Sequence, residues 1–319
     1  MFAIIPDIHA DYARLSRTLE GLGFQGPSAA WKSHWYQPDG IKAVFLGDFI
    51  DGGRDNARVI QAVRGMVEAG EAFAIMGNHE LNALLFHTPG HDGKSWLRPR
   101  TEKNVEQHRS FLDEFGCNDD TDFSMPRDGN LKEALDWFLS LPLALDFGAF
   151  RVVHAQWEPG SVSLVQERLG TRRTPTLLHG DLPEIATCSS AFGDAVDRML
   201  KGAEVLLPDG VSFVDRGKNQ RYEMRVRWWA SGEPTYRNLA LSVPDPSVLP
   251  NDLVREVSDL ERYPVDGPPV FVGHYKMHGE PQIDEGSAAA CLDFPQKACA
   301  YLWKEGDSRL MVNRLLAFP

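Results

Sequence analysis

The sequence predicts an α/β fold, and three observations support this prediction. Short apolar segments alternate with amphipathic segments between Phe2 and Met76, in the order strand, helix, strand, helix, strand. Each apolar segment ends in Asp, His or Asn side chains, at the position where α/β sheets usually bind ligands. With 319 residues, 43% of them hydrophobic and 24% charged, the chain has the composition of a globular protein with a sizeable core.

The elements of this first region can be placed one by one. Strands are predicted at residues 2–5, 41–46 and 72–76, because each segment is a short apolar run that ends in a polar turn. The segment after Asp11 is predicted to be helical, because its apolar residues recur at helical spacing, namely Tyr12, Leu15, Leu19 and Leu22. A second helix, which stops at Gly70, shows the same one-sided pattern at Val59, Ile60, Val63, Met66 and Val67.

A strand followed by a histidine occurs twice more along the chain. Phe150–Val153 lead to His154, and Val270–Gly273 lead to His274. Together with the three earlier strands, five strand ends therefore carry side chains of the types that bind metals.

The remaining regions show weaker patterns. Residues 81–149 are expected to form an insertion or cap, with a helix at Leu131–Leu141 and a loop at Thr88–Arg100. Residues 158–268 contain many Pro-containing turns and are interpreted as a long irregular excursion, so residues 1–319 are expected to form a single domain. The tail is expected to add closing antiparallel strands at Ala288–Phe294, Ala298–Lys304 and Arg309–Leu316.

Charge and cysteine content limit the class of protein. The formal net charge of -12 argues against general nucleic-acid binding, because phosphate backbones favour a basic surface. The N-terminus has no secretory pattern and no apolar run is long enough to span a membrane, so we expect no membrane contact and a cytoplasmic location. The four cysteines lack CxxC spacing and are expected to be reduced, mostly structural thiols.

Three polar motifs follow the first three strands: DIH with Asp7 and His9, GDFIDGG with Asp48 and Asp51, and GNHE with Asn78 and His79. Taken singly, each motif has an ordinary structural alternative, such as a solvated loop, an Asx turn or a helix N-cap. Taken together, they form a mixed oxygen and nitrogen ligand set, which suits Mn, Fe or Zn better than Ca. Two such cations could activate water for phosphoryl transfer, and Asp48, central among the motifs, is the natural bridging ligand.

The order DIH, GDFIDGG, GNHE, VVHA and GHY resembles the calcineurin-like metallophosphoesterase superfamily, and most closely its phosphoprotein phosphatase type. The resemblance implies a metallophosphoesterase-type β-sandwich flanked by helices, with a partly helical insertion. It also implies two divalent or trivalent metal ions, with Mn as the first choice and Fe or Zn as alternatives. The implied ligands are Asp7, His9 and Asp48 for the first metal, and Asp48, Asn78, His154 and His274 for the second.

The resemblance also assigns the acid of the reaction. His79 is similar to the family histidine that protonates or stabilises the leaving oxygen, and Asp51 matches the aspartate that holds this histidine. A carboxylate beside the imidazole would fix its orientation and keep it charged.

Two features depart from the family pattern. The phosphatase type has Arg directly after the second Asp of the GD motif, whereas this chain has Gly52, with Arg54 two positions later. The frequent GHxH ending is also absent, because Lys276 stands two positions after His274 and His278 falls outside the spacing.

The segment RYEMRVRWW could supply the phosphate-binding Arg that is missing after the GD motif. If this segment is a strand, Arg221, Glu223, Arg225 and Arg227 share one face. Either Arg225 or Arg227 could bind phosphate through a planar guanidinium, with Lys276 as a weaker candidate. The alternative is an exposed face that carries only a solvated ion pair.

The expected partner is a phosphorylated substrate, either a phosphoprotein or a small phosphomonoester. A dinucleoside polyphosphate or a phosphodiester is the alternative, and a scaffold without activity is the alternative from a different class. Metal analysis after repletion would separate enzyme from scaffold. The remaining histidines match no motif and are assigned surface or structural roles, namely His34, His87, His91, His108 and His179.

Overall fold

The computed structural model describes residues 1–27, 32–117, 129–170, 174–215, 218–230, 232–254, 263–264, 266–283 and 287–319. Residues 118–128 belong to the predicted insertion and lie outside the described residues.

The strands, in chain order, are β1 (Phe2–Ile5), β2 (Lys42–Phe45), β3 (Ala72–Ala74), β4 (Ala144–Asp146), β5 (Arg151–Val153), β6 (Glu204–Leu206), β7 (Phe213–Val214), β8 (Gln220–Arg221), β9 (Glu223–Val226), β10 (Ala240–Leu241), β11 (Val270–Val272), β12 (Ala289–Cys291), β13 (Ala298–Trp303) and β14 (Leu315–Phe318). The helices are α1 (Tyr12–Gly21), α2 (Asn56–Glu68), α3 (Asn78–Phe86), α4 (Glu102–Glu114), α5 (Asn130–Ser140), α6 (Pro159–Leu169), α7 (Leu182–Thr187), α8 (Ala191–Lys201) and α9 (Tyr236–Leu239). The α/β prediction is therefore confirmed, as are the five motif-bearing strands and the helix expected at Leu131–Leu141.

Two sheets form the centre of the fold. The first has the order β14-β13-β1-β2-β3 and the second the order β12-β11-β5-β4. Their inner faces pack together through fully buried side chains that include Ile4 and Val44 from the first sheet and Val152 and Phe271 from the second. The alternate residues of β1, such as Ala3, pack instead into the larger core with the helices. The fold is therefore a β-sandwich with helices outside it, as predicted.

Strand direction places the polar motifs at common edges. β1, β2 and β3 are mutually parallel, and in the second sheet β5, β11 and β12 are also parallel. Since parallel strands present their carboxyl ends at the same edge, the residues that follow them converge.

The tail differs in part from the prediction. β13 pairs antiparallel with β1 and with β14, as expected, but β12 pairs parallel with β11. The chain between β11 and β12 is long enough for a crossover connection, so β12 runs in the same direction as β11 and the two strands do not form a hairpin. The last strand also begins later than predicted, at Leu315, because Asp307 holds Arg314 through two hydrogen bonds and a short helical turn precedes the strand.

The region predicted to be irregular, residues 158–268, contains α6, α7, α8 and the three-stranded sheet β10-β9-β6. The prolines interpreted as turns include Pro159 and Pro183, which lie in the first turns of α6 and α7. Proline is well tolerated there, because the first amide of a helix has no partner within the helix.

Two further findings concern the surface and the thiols. None of the helices in the described ranges combines the length and the apolar character that crossing a bilayer requires. All four cysteines are free thiols, and Cys117, Cys291 and Cys299 are buried while Cys188 is exposed.

Candidate metal centre and acid

The six predicted metal ligands come together at the carboxyl ends of strands from both sheets. Asp7 and His9 follow β1, Asp48 follows β2 and Asn78 begins α3 after β3, whereas His154 and His274 follow β5 and β11. The ligand set therefore spans the sandwich.

The loops that carry these ligands adopt unusual backbone conformations. His9, Asp48 and His274 have positive φ angles of 51°, 52° and 68°, in the left-handed region that residues with a side chain rarely adopt. Each such residue costs on the order of 1–3 kcal/mol and persists only where the surrounding structure fixes it. Strain of this kind, concentrated on three neighbouring polar residues, is typical of a functional site.

Two glycines allow the loops to approach the carboxylates. A Cβ on Gly77 would lie 2.3 Å from Asp48 Oδ1, and a Cβ on Gly273 would lie 1.9 Å from Asp7 Oδ1. Any larger residue at either position would displace a carboxylate. This explains why glycine precedes both Asn78 and His274.

Asp48 lies between two groups of potential ligand atoms. Its carboxylate belongs to one group with His9 and His79 and to another with Asp7 and His154, and within each group the ligand atoms lie no more than 4.8 Å apart. Asp48 Oδ2 is 3.8 Å from His9 Nε2, and Asp48 Oδ1 is 3.4 Å from His154 Nε2. The two oxygens of one carboxylate therefore face different histidines.

Asn78 connects the two histidines of the second sheet. Its Oδ1 atom lies 3.1 Å from His154 Nε2 and 2.8 Å from His274 Nδ1. His154 Nδ1 donates a hydrogen bond to the carbonyl of Leu46 at 2.7 Å, which orients Nε2 towards the centre. The amide oxygen of Asn78 is therefore within hydrogen-bonding distance of both imidazoles.

The buried polar atoms of this cluster fit a cation. Among the described residues, the Nε2 atoms of His9 and His274 are buried and have no hydrogen-bond partner. Unpartnered buried nitrogen is costly unless another group binds it. Together with the carboxylates of Asp7 and Asp48, these atoms form an oxygen and nitrogen donor set that suits Mn, Fe or Zn.

Burial and charge set the protonation of the histidines. Burial lowers the pKa of His9 to about 4 and also places the pKa of His274 well below its usual value, where Arg225 adds to the effect. Burial would lower the pKa of His154 too, but the Asp48 carboxylate outweighs it and raises that pKa to about 10. A cation bound to His154 Nε2 would replace this proton.

Two further carboxylates support the ligand loops. Glu80, fully buried, accepts hydrogen bonds from the backbone amides of Asp48, Phe49 and Gly77 at 2.8–2.9 Å, and so joins the GD loop to the GN loop. Asp293, also fully buried, follows β12 and accepts from the amide of Lys276 at 2.8 Å. Burial is the main cause of the raised pKa of Asp7, and the charge of Asp293 adds to it.

His79 and Asp51 form the pair that the sequence indicated. His79 Nδ1 lies 2.7 Å from Asp51 Oδ2, and His79 Nε2 lies 3.9 Å from Asp48 Oδ2. Burial lowers the pKa of His79, but Asp48 and Asp51 outweigh it and raise the pKa to about 9. His79 therefore favours its protonated form and lies beside the Asp48 carboxylate.

A second histidine contacts the same carboxylate. His108 Nδ1 lies 2.8 Å from Asp51 Oδ1, and the side chain of His108 is fully buried. We expected a surface or structural role for His108, and no motif distinguishes it in the sequence, because the contact depends on how α4 packs.

The candidate phosphate-binding residues lie on two sides of the centre. Arg225 and Lys276 line a cavity of about 730 Å³, which also contains Arg221 and the aromatic side chains of Phe213 and Tyr222. Arg54 lines a different cavity of about 410 Å³, which it shares with His9.

Arg227 does not line either of these cavities. β9 ends at Val226, where the amide of Trp228 turns back to donate to the Val226 carbonyl, so the single long strand expected from RYEMRVRWW is interrupted. The guanidinium of Arg227 instead donates to the carbonyl of Asn238 at 3.1 Å. Trp228 is buried and its indole donates to the carbonyl of Ala155, which explains why the chain bends there.

Comparisons with known proteins agree with these motifs. The sequence model described as Calcineurin-like phosphoesterase matches residues 1–280. A bis(5′-nucleosyl)-tetraphosphatase (asymmetrical), PrpE, from Geobacillus sp. (strain WCH70) is 33% identical over 76 residues, which are 24% of this chain and 29% of that protein. The aligned part therefore spans less than a third of the curated relative.

Solved structures that superpose on this chain have little sequence in common with it. A cold-active protein tyrosine phosphatase superposes with a TM-score of 0.51 at 13% identity, covering 98% of this chain and 79% of the other. A putative diadenosine tetraphosphatase gives a TM-score of 0.42 at 15% identity, covering 100% and 92% of the two chains.

Proposed function

Because the chain belongs to the calcineurin-like phosphoesterase family, we propose that it is a metal-dependent hydrolase of phosphate esters with two metal ions in its centre. The position of Asp48 carries this proposal, since one of its oxygens lies 3.8 Å from His9 Nε2 and the other 3.4 Å from His154 Nε2. Asp7 and His9 would complete the first site, and Asn78, with two histidines after β5 and β11, the second.

When bound, the cations would activate a water molecule and offset the charge of the phosphate. The protein's own side chains would supply the proton for the leaving oxygen and hold the acid in place. In hydrolysis a water oxygen would bond to phosphorus as the bond from phosphorus to the leaving oxygen breaks. His79 Nε2 would give its proton to the leaving oxygen, and the proton released by the water would pass to solvent. Asp51 holds the opposite nitrogen of the ring, so that Nε2 faces the centre.

We propose a phosphomonoester, protein-bound or small, as the substrate. Its terminal phosphate brings about two negative charges, which require a cationic side chain in addition to the metals. Arg225 is supported by its effect on the pKa of His274, which places its charge close to the centre. Arg54 is supported by the cavity that it shares with His9, and Lys276 is supported by its position in the cavity of about 730 Å³ that Arg225 also lines. Arg227 has less support, because its guanidinium is engaged by Asn238.

A dinucleoside polyphosphate is the second candidate substrate. The curated relative named above is a bis(5′-nucleosyl)-tetraphosphatase. The cavity of about 730 Å³ is lined by Phe213 and the exposed ring of Tyr222 together with Arg221 and Arg225. Aromatic rings next to cations can hold a base and its phosphates.

The test is a hydrolysis screen of the Mn-loaded protein. The substrates are an alkyl monoester, p-nitrophenyl phosphate, a phosphopeptide, bis(p-nitrophenyl) phosphate and diadenosine tetraphosphate, with Asp48→Asn as the control for contaminating phosphatases. We expect monoester hydrolysis that disappears in the control. If the dinucleotide alone is turned over, the second candidate replaces the first. If the protein stays essentially metal-free after repletion and hydrolyses none of these substrates, the scaffold alternative is favoured.

Three further properties are part of the proposal. Mn is the preferred metal, the site operates in the cytoplasm, and residues 81–149 act as a cap within a single domain. Support for the cap comes from α4, which places His108 against Asp51.

A further inference from the structure

The aspartate that orients the proposed acid is held by two imidazoles and not by one. Asp51 Oδ2 lies 2.7 Å from His79 Nδ1, and Asp51 Oδ1 lies 2.8 Å from His108 Nδ1. Both oxygens of a single buried carboxylate are therefore used, one by each ring.

The surroundings of His108 determine which of its nitrogens carries the proton. Among the described residues, His108 Nε2 is buried and has no hydrogen-bond partner. A proton on that atom would be buried without an acceptor, so the favoured arrangement has the proton on Nδ1, which donates to Asp51. Phe111 stacks on the ring at 4.6 Å between centroids and an angle of 16°, which prevents the ring from turning.

α4 also fixes Asp51 by a second route. Glu114, at the end of α4, accepts hydrogen bonds from the backbone amides of Asn56 and Ala57 at 2.7 and 2.9 Å. The Asn56 side-chain oxygen in turn accepts from the backbone amide of Asp51 at 2.9 Å. One helix therefore holds both the side chain and the main chain of the aspartate.

We propose that His108 is a positioning residue for the reaction, and this proposal rests on the proposed function. His108 fixes the Asp51 carboxylate so that Oδ2 stays aligned with His79 Nδ1. The groups facing Asp51 are His79 from α3, His108 from α4 and Arg98 from the segment between them, whose charge also interacts with that of Asp51. His108 does not touch the substrate in this proposal, and it acts only through Asp51.

The test compares His108→Leu with His108→Asn. Asn keeps a donor near the position of Nδ1, whereas Leu removes it. We expect His108→Leu to lower kcat for an alkyl monoester by about tenfold, which corresponds to about 1.4 kcal/mol, with KM unchanged. The loss should be smaller for p-nitrophenyl phosphate, whose leaving oxygen needs little protonation. His108→Asn should recover most of the alkyl-ester rate.

Controls separate this role from a structural one. His87→Asn changes another histidine of the same aromatic cluster, whose ring centroid lies 5.6 Å from that of His108, and should not alter the ratio of alkyl to aryl rates. Metal content and melting temperature are measured for each variant. Equal losses on both esters without rescue by Asn would overturn the proposal, as would an unchanged rate in His108→Leu.

A second measurement does not depend on turnover. In ¹⁵N-histidine-labelled protein, the Nδ1 protons of His79 and His108 should both give the downfield signals of hydrogen bonds to a carboxylate. In His108→Asn the His79 signal should persist, and in His108→Leu it should broaden or shift. If the wild-type protein hydrolysed no ester, the proposed function would fail while this spectrum still tested the arrangement. A His79 signal unaffected by His108→Leu would overturn the positioning role.

Discussion

Replacement of Asp51 by Asn is the substitution that tests the acid most directly. The carboxylate accepts a charge-assisted hydrogen bond from His79 Nδ1 at 2.7 Å, in a site where the carboxylate is buried. Hydrogen bonds to charged groups contribute about 1.5–3 kcal/mol, which corresponds to about one to two pKa units. The neutral amide can accept from only one of the two imidazoles that now share the carboxylate.

The direction in which Asp51→Asn moves the pH profile follows from the direction of the pKa shift of His79. Burial lowers the pKa of His79, and Asp48 and Asp51 together raise it to about 9. The acid form is therefore present below pH 9 and is lost as the pH rises through that value. When bound cations share the charge of Asp48, Asp51 makes the larger contribution to raising the pKa of His79. In Asp51→Asn the basic limb of the pH profile should move down by about one to two units.

The assay is the pH dependence of kcat for an alkyl monoester and for p-nitrophenyl phosphate, with metal content measured in parallel. At pH 8 this shift predicts that the alkyl-ester rate falls by about 2- to 10-fold and that the aryl-ester rate falls less. Metal content should be unchanged, because Asp51 is not one of the proposed ligands. A variant whose basic limb stays in place while both esters slow equally would refute the assignment of His79 as the acid.

Five other substitutions, one of them a control, test the remaining assignments. Asp48→Asn should abolish hydrolysis and lower the occupancy of both metals in elemental analysis; near wild-type turnover with two bound metals would disprove the bridging role. His79→Asn should keep its metals but slow an alkyl ester by roughly 10² to 10⁴ and an aryl ester less, and equal losses would argue against an acid. Arg225→Ala should lower kcat/KM by at least about tenfold without loss of metal, whereas Arg227→Ala serves as the matched control. If only Arg54→Ala showed that loss, phosphate would be held by the GD loop.

The approach of these polar residues to one another could be predicted from local order. Asp48, Asn78 and His274 each come a few residues after a short apolar strand, and parallel strands bring such ends together. The fold class could be predicted for the same reason, because the alternation of strand and helix is visible in the hydrophobic pattern.

The parts that could not be predicted depend on tertiary packing or on ambiguous signals. His108 is separated from Asp51 by 57 residues, and nothing in its local sequence shows which face of α4 meets the GD loop. Pro159 signalled a turn but begins a helix, since proline is favoured in both places. Arg227 was expected to continue the strand that carries Arg225, but β9 ends at Val226 and the Arg227 guanidinium donates to the Asn238 carbonyl, which the alternation of side chains does not reveal.

The placement of ligands on both sheets has a consequence for the lifetime of the folded protein. A cation held by Asp48, which follows β2 of the first sheet, and by His154 and His274, which follow β5 and β11 of the second, would act as a cross-link between the layers. Binding to the folded state alone adds about 2.7 kcal/mol to its stability when the free metal is at 100 times its dissociation constant. Metal supply in the cell would then govern how much of this chain survives proteolysis, and a chelator would shorten its half-life before any substrate was involved.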